Sequence, residues 1–212
     1  AQRLSHFCCE LAEEALQSDQ QQAGLDYLKR AKRHNADNPR VSFLRAQLSI
    51  QQKNFRDAKR HLLIMAQQDE QLVPEIIQPL RLCFTQLGDI DGWRAWLNQA
   101  MTEYPSSSLL LAQAHEIGQQ NDSDAASYLT ENLRQRPSLK GFNYLIDLHM
   151  QWASENAKDS LQVLKGLTVA LQRSKPHYRC RQCGFAGNSM HWQCPSCHQW
   201  GSTKPIYGLE GE

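Results

Sequence analysis

Apolar residues recur every three or four positions along most of this chain, and short polar breaks separate one such stretch from the next. Up to about Arg173 this spacing predicts amphipathic helices, because it lines the apolar side chains along one face of a 3.6-residue turn. Sustained two-residue alternation and Asn-Gly turns, the marks of strands and hairpins, are missing from this part. The body is therefore predicted to be all-α. A period of 34 residues runs through it: Ala12 and Ala46, Ala15 and Ser49, Gly24 and Ala58, and Leu28 and Leu62 each match in size class at that separation. Small residues suit the places where two helices cross closely, and the large apolar residue fills the groove between them. Trp93, Leu97, Ala100 and Pro105 end a third unit, and Ala125, Leu129 and Pro137 a fourth. Pro39, Pro74, Pro105 and Pro137, spaced 31 to 35 residues apart, fall where a helix must stop. A fifth hairpin, 139–173, keeps helical spacing in Leu145, Leu148, Leu161, Leu164 and Leu171 but loses the small-residue signature, as a terminal capping unit does.

The 34-residue matches resemble the tetratricopeptide repeat family over roughly residues 1–173, although Trp and Tyr are missing from their usual first-helix places. That resemblance implies about five helical hairpins stacked into a superhelix. The first helix of each pair would line a concave face that binds peptides or partner proteins. By register, Arg45, Ser49 and Gln52 are first-helix positions facing such a groove. A stacked array has no built-in chemistry, so no catalytic residue is expected from it.

Residues 174–212 read differently and are expected to form a second, small domain after the array of residues 1–173. They hold Tyr178, Phe185, Trp192, Trp200 and Tyr207, crowded around two cysteine pairs, Cys180-x2-Cys183 and Cys194-x2-Cys197. A lobe this short cannot bury enough apolar surface to fold alone, so aromatics and a metal must replace a larger core. Two residues between thiolates let one tight turn aim both sulfurs at one ion, and two facing turns complete a tetrahedron. Gly184 follows the first knuckle, where positive φ is often needed, whereas His198 holds the matching place in the second. His177, His191 and His198 lie nearby but are not needed as ligands once four thiolates fill the site, and a filled site has no open position for hydrolysis.

The lobe resembles rubredoxin and the zinc ribbons, with Tyr178 two residues before the first Cys and Trp192-Gln193-Cys194-Pro195 as further likenesses. The resemblance implies one zinc for structure or one iron for electron transfer. Sulfur ligation admits both ions, and zinc is favoured because the helical part supplies no redox partner. A helical bundle with a rubredoxin-like lobe is also the plan of rubrerythrin-type peroxidases, but no Glu here has a His three residues on, as their di-iron helices require. GxSxG, HExxH, Walker-type and dinucleotide fingerprints are missing as well. His115 beside Glu116 and the isolated His149 read as ordinary helix-face residues.

Lys+Arg number 23 against 22 Asp+Glu, and in the lobe Lys175, Arg179, Arg181 and Lys204 face Glu210 and Glu212. Four thiolates and a divalent ion bring the lobe to about neutral, a weak basis for binding nucleic acid, which needs several cations to displace counterions. The densest basic cluster, Lys29, Arg30, Lys32, Arg33 and His34, ends a predicted helix, where cations complement the macrodipole. Seven cysteines, an odd number, argue against a closed disulfide framework; Cys8, Cys9 and Cys83 read as buried thiols of a reducing compartment. No apolar run approaches the roughly 18 residues of a membrane helix. Ala1 opens inside a helical pattern, which reads as a piece of a longer chain.

Repeats joined to a four-cysteine lobe, together with the stretches RSKPHYRCRQCG and WQCPSC and the ends HFCCELA and KPIYGLEGE, resemble the lipopolysaccharide assembly protein B family of Gram-negative bacteria. The resemblance implies a non-enzymatic adaptor held at the cytoplasmic side of the inner membrane by an N-terminal helix that precedes the repeats. It implies protein partners: an FtsH-type membrane AAA+ protease, the deacetylase of the lipid A pathway, and an inner-membrane signalling protein. Lipopolysaccharide or its assembly proteins are further possible partners. Cys180, Cys183, Cys194 and Cys197 would be the metal ligands, with Trp192, Trp200 and Tyr178 giving apolar contact within the lobe or to a partner. A rubredoxin-type electron carrier and a nucleic-acid-binding ribbon stay as alternatives.

Overall fold

The computed structural model describes residues 1–209, so Glu210 and Glu212 of the charge reckoning lie outside the described residues. Ten α-helices come first: α1 (Gln2–Gln17), α2 (Gln21–His34), α3 (Pro39–Gln51), α4 (Phe55–Gln68), α5 (Val73–Gln86), α6 (Ile90–Glu103), α7 (Ser107–Gly118), α8 (Asp122–Gln135), α9 (Leu139–Met150) and α10 (Glu155–Arg173). A single 3-10 turn over Glu70–Leu72 leads into α5. Three short strands follow: β1 (Tyr178–Cys180), β2 (Ala186–Gly187) and β3 (Thr203–Pro205). Among the described residues no helix is long and apolar enough to cross a membrane.

Polar side chains set where many helices begin. Asn38, Asn54, Ser106, Asn121 and Ser138 each accept a hydrogen bond from a first-turn N–H that has no partner within its helix. The prolines mark boundaries, though not always as stops. Pro39 opens α3 and Pro74 lies in the first turn of α5, where a missing N–H costs nothing, while Pro105 and Pro137 fall between helices. Pro79 sits inside α5 and removes one of its hydrogen bonds.

Two compact units, Ala1–Trp93 and Arg94–Glu212, make up the chain. In the first, Cys8, Cys9 and Ala12 of α1, Leu28 and Ala31 of α2, and Val41 and Leu44 of α3 form one core. The periodic small residues lie where helices meet. Ala12, Ala46 and Ala58 are fully buried, and a Cβ built on Gly24 would stand 2.7 Å from the Leu16 side chain, which is why that position takes glycine. Leu28 and Leu62 fill the grooves beside them. Cys9 and Cys83 are free and buried, and burial raises both thiols, Cys9 to about 12. They pack as small apolar groups. Arg40 is also buried, its guanidinium bonded to Glu10 at 2.7 Å and Glu13 at 2.8 Å across α1.

In the second unit Leu110 and Ala114 of α7, Ala125, Ala126, Leu129 and Leu133 of α8, and Leu148 of α9 build the core. Helix α10 departs from the expected capping unit. It buries no residue, and Val163, Leu164, Leu167 and Leu171 are exposed, whereas a terminal cap presents a polar outer face. Polar side chains join it to α9 instead: Lys165 pairs with Asp147, Thr168 donates to Asn143, and the Asn143 amide donates to Gln172 at 2.7 Å.

Candidate metal centre

The three strands form one antiparallel sheet in the order β2-β1-β3, with Arg179 opposite both Ala186 and Lys204. Cys180 ends β1 and leads into the first knuckle, and both knuckles close alike. The Gly184 N–H bonds to the Cys180 carbonyl at 3.0 Å and the Cys180 N–H to the Phe185 carbonyl at 2.7 Å. In the second, the His198 N–H bonds to the Cys194 carbonyl at 2.9 Å and the Cys194 N–H to the Gln199 carbonyl at 3.0 Å. Gly184 has φ +79° and His198 φ +56°, so the histidine adopts the left-handed conformation that glycine takes in the first knuckle. That strains a residue with a Cβ by roughly 1–2 kcal/mol, which the rest of the lobe must offset. The non-glycine residue at this place thus leaves the turn intact.

The sulfurs converge. Cys180 and Cys197 Sγ are 3.7 Å apart, Cys183 and Cys194 Sγ 3.6 Å, and all four lie within 4.8 Å of one another. A tetrahedral ion with metal–sulfur bonds of about 2.3 Å has sulfur–sulfur edges of about 3.8 Å, so the set fits one such ion. Cys180 and Cys194, the first of each pair, are buried, while Cys183 is exposed and Cys197 half-buried. Among the described residues these four are the only group of three or more side chains placed to hold a metal, and no histidine joins them.

Backbone N–H groups favour thiolate, while the sulfurs act on one another in both directions, lowering some thiols and raising others. Burial raises the Cys180 thiol, but hydrogen bonding with Ser202, at 3.2 Å, and with the N–H groups of Cys183 and Gln182 brings it down to about 6. The Phe185 N–H lowers Cys183. At Cys197 the Gln199 N–H favours the anion, yet burial and the sulfurs of Cys183, Cys194 and Cys180 push the thiol up to about 12. Several thiolates at this spacing repel one another, and a cation among them removes the repulsion. This donor set suits zinc or iron, and nothing in its geometry separates the two. Ser202 could not have been found from sequence, since it lies 22 residues from Cys180 and outside both knuckles.

The remaining predicted residues fall into different settings. Trp200 is 7% exposed and lies in the lobe interior, with Gln193 and Trp200 forming a β-bridge, while Trp192 and Tyr178 are half-buried. Arg45 and Ser49 are half-buried on α3, and Gln52, exposed at its C-cap, donates to Gln21 at 3.1 Å. The basic run 29–34 does end α2, with Lys32, Arg33 and His34 in its last turn. Beyond β3 the chain runs back over the helices. The Leu139 N–H at the start of α9 bonds to the Leu209 carbonyl at 3.2 Å, and Tyr207 and Leu209 share a cavity of about 580 Å³ with Met101, Leu110 and Pro137.

Helix pairs with a 34-residue period, ending in twin cysteine knuckles on a three-stranded sheet, define a tetratricopeptide-type repeat protein with a rubredoxin-like metal-binding lobe. Residues 178–205 match the rubredoxin metal binding domain family. Over 210 residues, 98% of this chain, the sequence is 35% identical to lipopolysaccharide assembly protein B of Escherichia coli K12, and over 173 residues, 81% of the chain, 28% identical to the Haemophilus influenzae protein of the same name. The chain is a homologue of lipopolysaccharide assembly protein B. It spans about half the length of these curated relatives, 54% and 44% respectively. Similar solved structures are the N-terminal domain of stress-induced protein-1 from Caenorhabditis elegans and a thermophilic TPR protein of Thermus thermophilus. The first is 12% identical with TM-score 0.45, covering 51% of this chain and 90% of that one; the second is 13% identical with TM-score 0.41, covering 79% and 100%.

Proposed function

We propose that this chain is part of a non-catalytic adaptor that regulates lipopolysaccharide synthesis. It works at the cytoplasmic side of the inner membrane and brings the lipid A pathway deacetylase to an FtsH-type AAA+ protease, under restraint by an inner-membrane signalling protein. The observation that carries this reading is the 35% identity to lipopolysaccharide assembly protein B over 98% of the chain, repeats and lobe together. In this reading residues 1–173 form the partner-binding array and 174–212 the metal-binding domain. Cys180, Cys183, Cys194 and Cys197 hold one zinc ion, which shapes the lobe rather than reacting. Arg45, Ser49 and Gln52 face partners from the repeats, and on the lobe Trp192 offers a separate apolar contact, with Trp200 packed in the lobe interior. The return of the chain to the start of α9 through Leu209 supports a lobe seated on the last helices.

Crosslinking and mass spectrometry from membranes tests the proposal with the full-length protein. Recovery of the protease and the deacetylase is expected with the intact lobe and lost in the Cys180→Ser/Cys183→Ser double variant; recovery of neither by the intact protein defeats the adaptor reading. The match to a rubredoxin metal-binding domain gives electron transfer standing as a second reading. A colourless protein with one zinc per chain is expected from metal analysis. A red protein that bleaches on reduction would reverse that choice.

A further inference from the structure

Between the end of α2, the face of α3 and the face of α4 lies a cavity of about 570 Å³ in which positive charge outnumbers negative. Arg45 enters it from α3, Lys32 from α2 and His61 from α4; Asp37, in the turn between α2 and α3, is the carboxylate on its wall. Arg45 is half-buried, and its Nε, shielded from solvent, has no hydrogen-bond partner. No carboxylate acts on it. Burial and the charge of Arg60 both disfavour its protonated form, and Arg60 is itself occupied by Asp57 at 3.1 Å. His61 is under the same pressure: burial, then Arg45 and Arg60, hold its imidazole down at about 4, with Asp57 too weak an opposing influence. A buried donor without an acceptor costs about 1–3 kcal/mol, more for a charged group, so the Arg45 Nε–H left in this state points to an acceptor that arrives from outside.

We propose that this cavity binds the carboxylate of an acidic segment of a partner protein, with the Arg45 guanidinium as its anchor and Lys32 as a second cation. Charge selects the ligand. With His61 neutral, Lys32 and Arg45 against Asp37 give the cavity one net positive charge, which a singly charged carboxylate matches and a phosphate dianion exceeds. Val41 and Ile64 add apolar wall for an aliphatic residue beside the acidic one, and the planar guanidinium suits two-point binding of a carboxylate. The site deepens the adaptor reading by naming what one part of the array grips, but it stands on the cavity alone. The sequence marked Arg45 only as a candidate contact residue on the first helix of its pair. Its meeting with His61 and Lys32 was not legible there, because they come from three different helices.

The test is an NMR titration of the whole chain, following the arginine Nε–H resonances, with acetyl-Ile-Glu-amide, acetyl-Ile-Gln-amide and inorganic phosphate as probes. A saturable shift of the Arg45 resonance is expected with the Glu peptide, at least about tenfold weaker with the Gln peptide and with phosphate. Arg45→Gln and Lys32→Gln should each weaken Glu-peptide binding, the first by about tenfold or more, and Arg45→Lys should recover part of the loss. Because Arg45→Gln removes an uncompensated charge, its melting temperature should stay level or rise while binding falls. Equal binding of the Glu and Gln peptides, preference for phosphate, or full binding by Arg45→Gln would overturn the proposal. Recovery of the protease and deacetylase without Glu-peptide binding removes this site and leaves the adaptor reading; peptide binding without that recovery does the reverse.

Discussion

Replacing Cys194 with serine is expected to unfold the lobe and leave the helices standing. Cys194 is fully buried, its sulfur 3.6 Å from that of Cys183, and the lobe around it has strands of three, two and three residues. From β1 onward the buried side chains among the described residues are Cys180, Cys194, Trp200, Thr203 and Pro205, far too few to outweigh the roughly 1.5 kcal/mol of conformational entropy lost per ordered residue. Metal binding in small sulfur sites contributes on the order of 10–16 kcal/mol, so loss of one thiolate removes the main support of this part of the chain. Zinc affinity should fall by more than about 100-fold, the upper range for mere outer-shell changes. Trp192 and Trp200 fluorescence should move to that of solvated indole, while the far-UV signal of ten helices stays nearly unchanged. Native fluorescence and strand amide protection in the metal-free variant would show that the lobe folds by packing alone, against this account. The strained His198 should give a smaller opposite effect in the same assay.

Arg40→Ala is expected to destabilise the first unit by about 3 kcal/mol. The guanidinium is 2% exposed, with Nε donating to Glu13 at 3.1 Å and Nη1 to Glu10 at 2.7 Å, so α3 is tied to α1 by a buried cation between two carboxylates. Burial works against the charged form, but the two glutamates more than offset it and raise Arg40 above its ordinary range. Breaking buried pairs costs about 3–5 kcal/mol, and the lower end applies because Glu10 is 50% exposed and Glu13 32% exposed and both recover water. Arg40→Met, which keeps most of the volume, should cost clearly less. Urea midpoints of the two variants check this; a loss below about 0.5 kcal/mol for Arg40→Ala would mean that the ion triad does not hold α1 to α3.

Much of this architecture was legible before any coordinates because it depends on local rules. Helical periodicity, the 34-residue match of small residues and the spacing of proline each state a requirement of one helix or one crossing, and Gly24, Ala46, Ala58 and Leu62 meet it. The cysteine spacing is of the same kind, since two residues between thiolates determine what a single turn can do. Cys8, Cys9 and Cys83 were likewise readable as buried thiols.

What the tertiary structure alone decided is what depends on residues distant in sequence. Arg40, beside the proline that opens α3, gives no local sign that it will be buried, because its partners lie 27 and 30 residues away. Helix α10 carries the leucines of a core-facing helix, yet Leu164, Leu167 and Leu171 are exposed and Leu161 only half-buried, since periodicity marks an apolar face and does not say whether a neighbour covers it. His198 takes a backbone conformation that its identity argued against, because the second knuckle must close like the first for four sulfurs to reach one point. By itself the sequence determined the helices, their period and which four cysteines come together. Packing decided which charges were buried, which face stayed open and where the Arg45 Nε–H would lie without a partner, because desolvation and Coulomb energy depend on distances that no single segment sets.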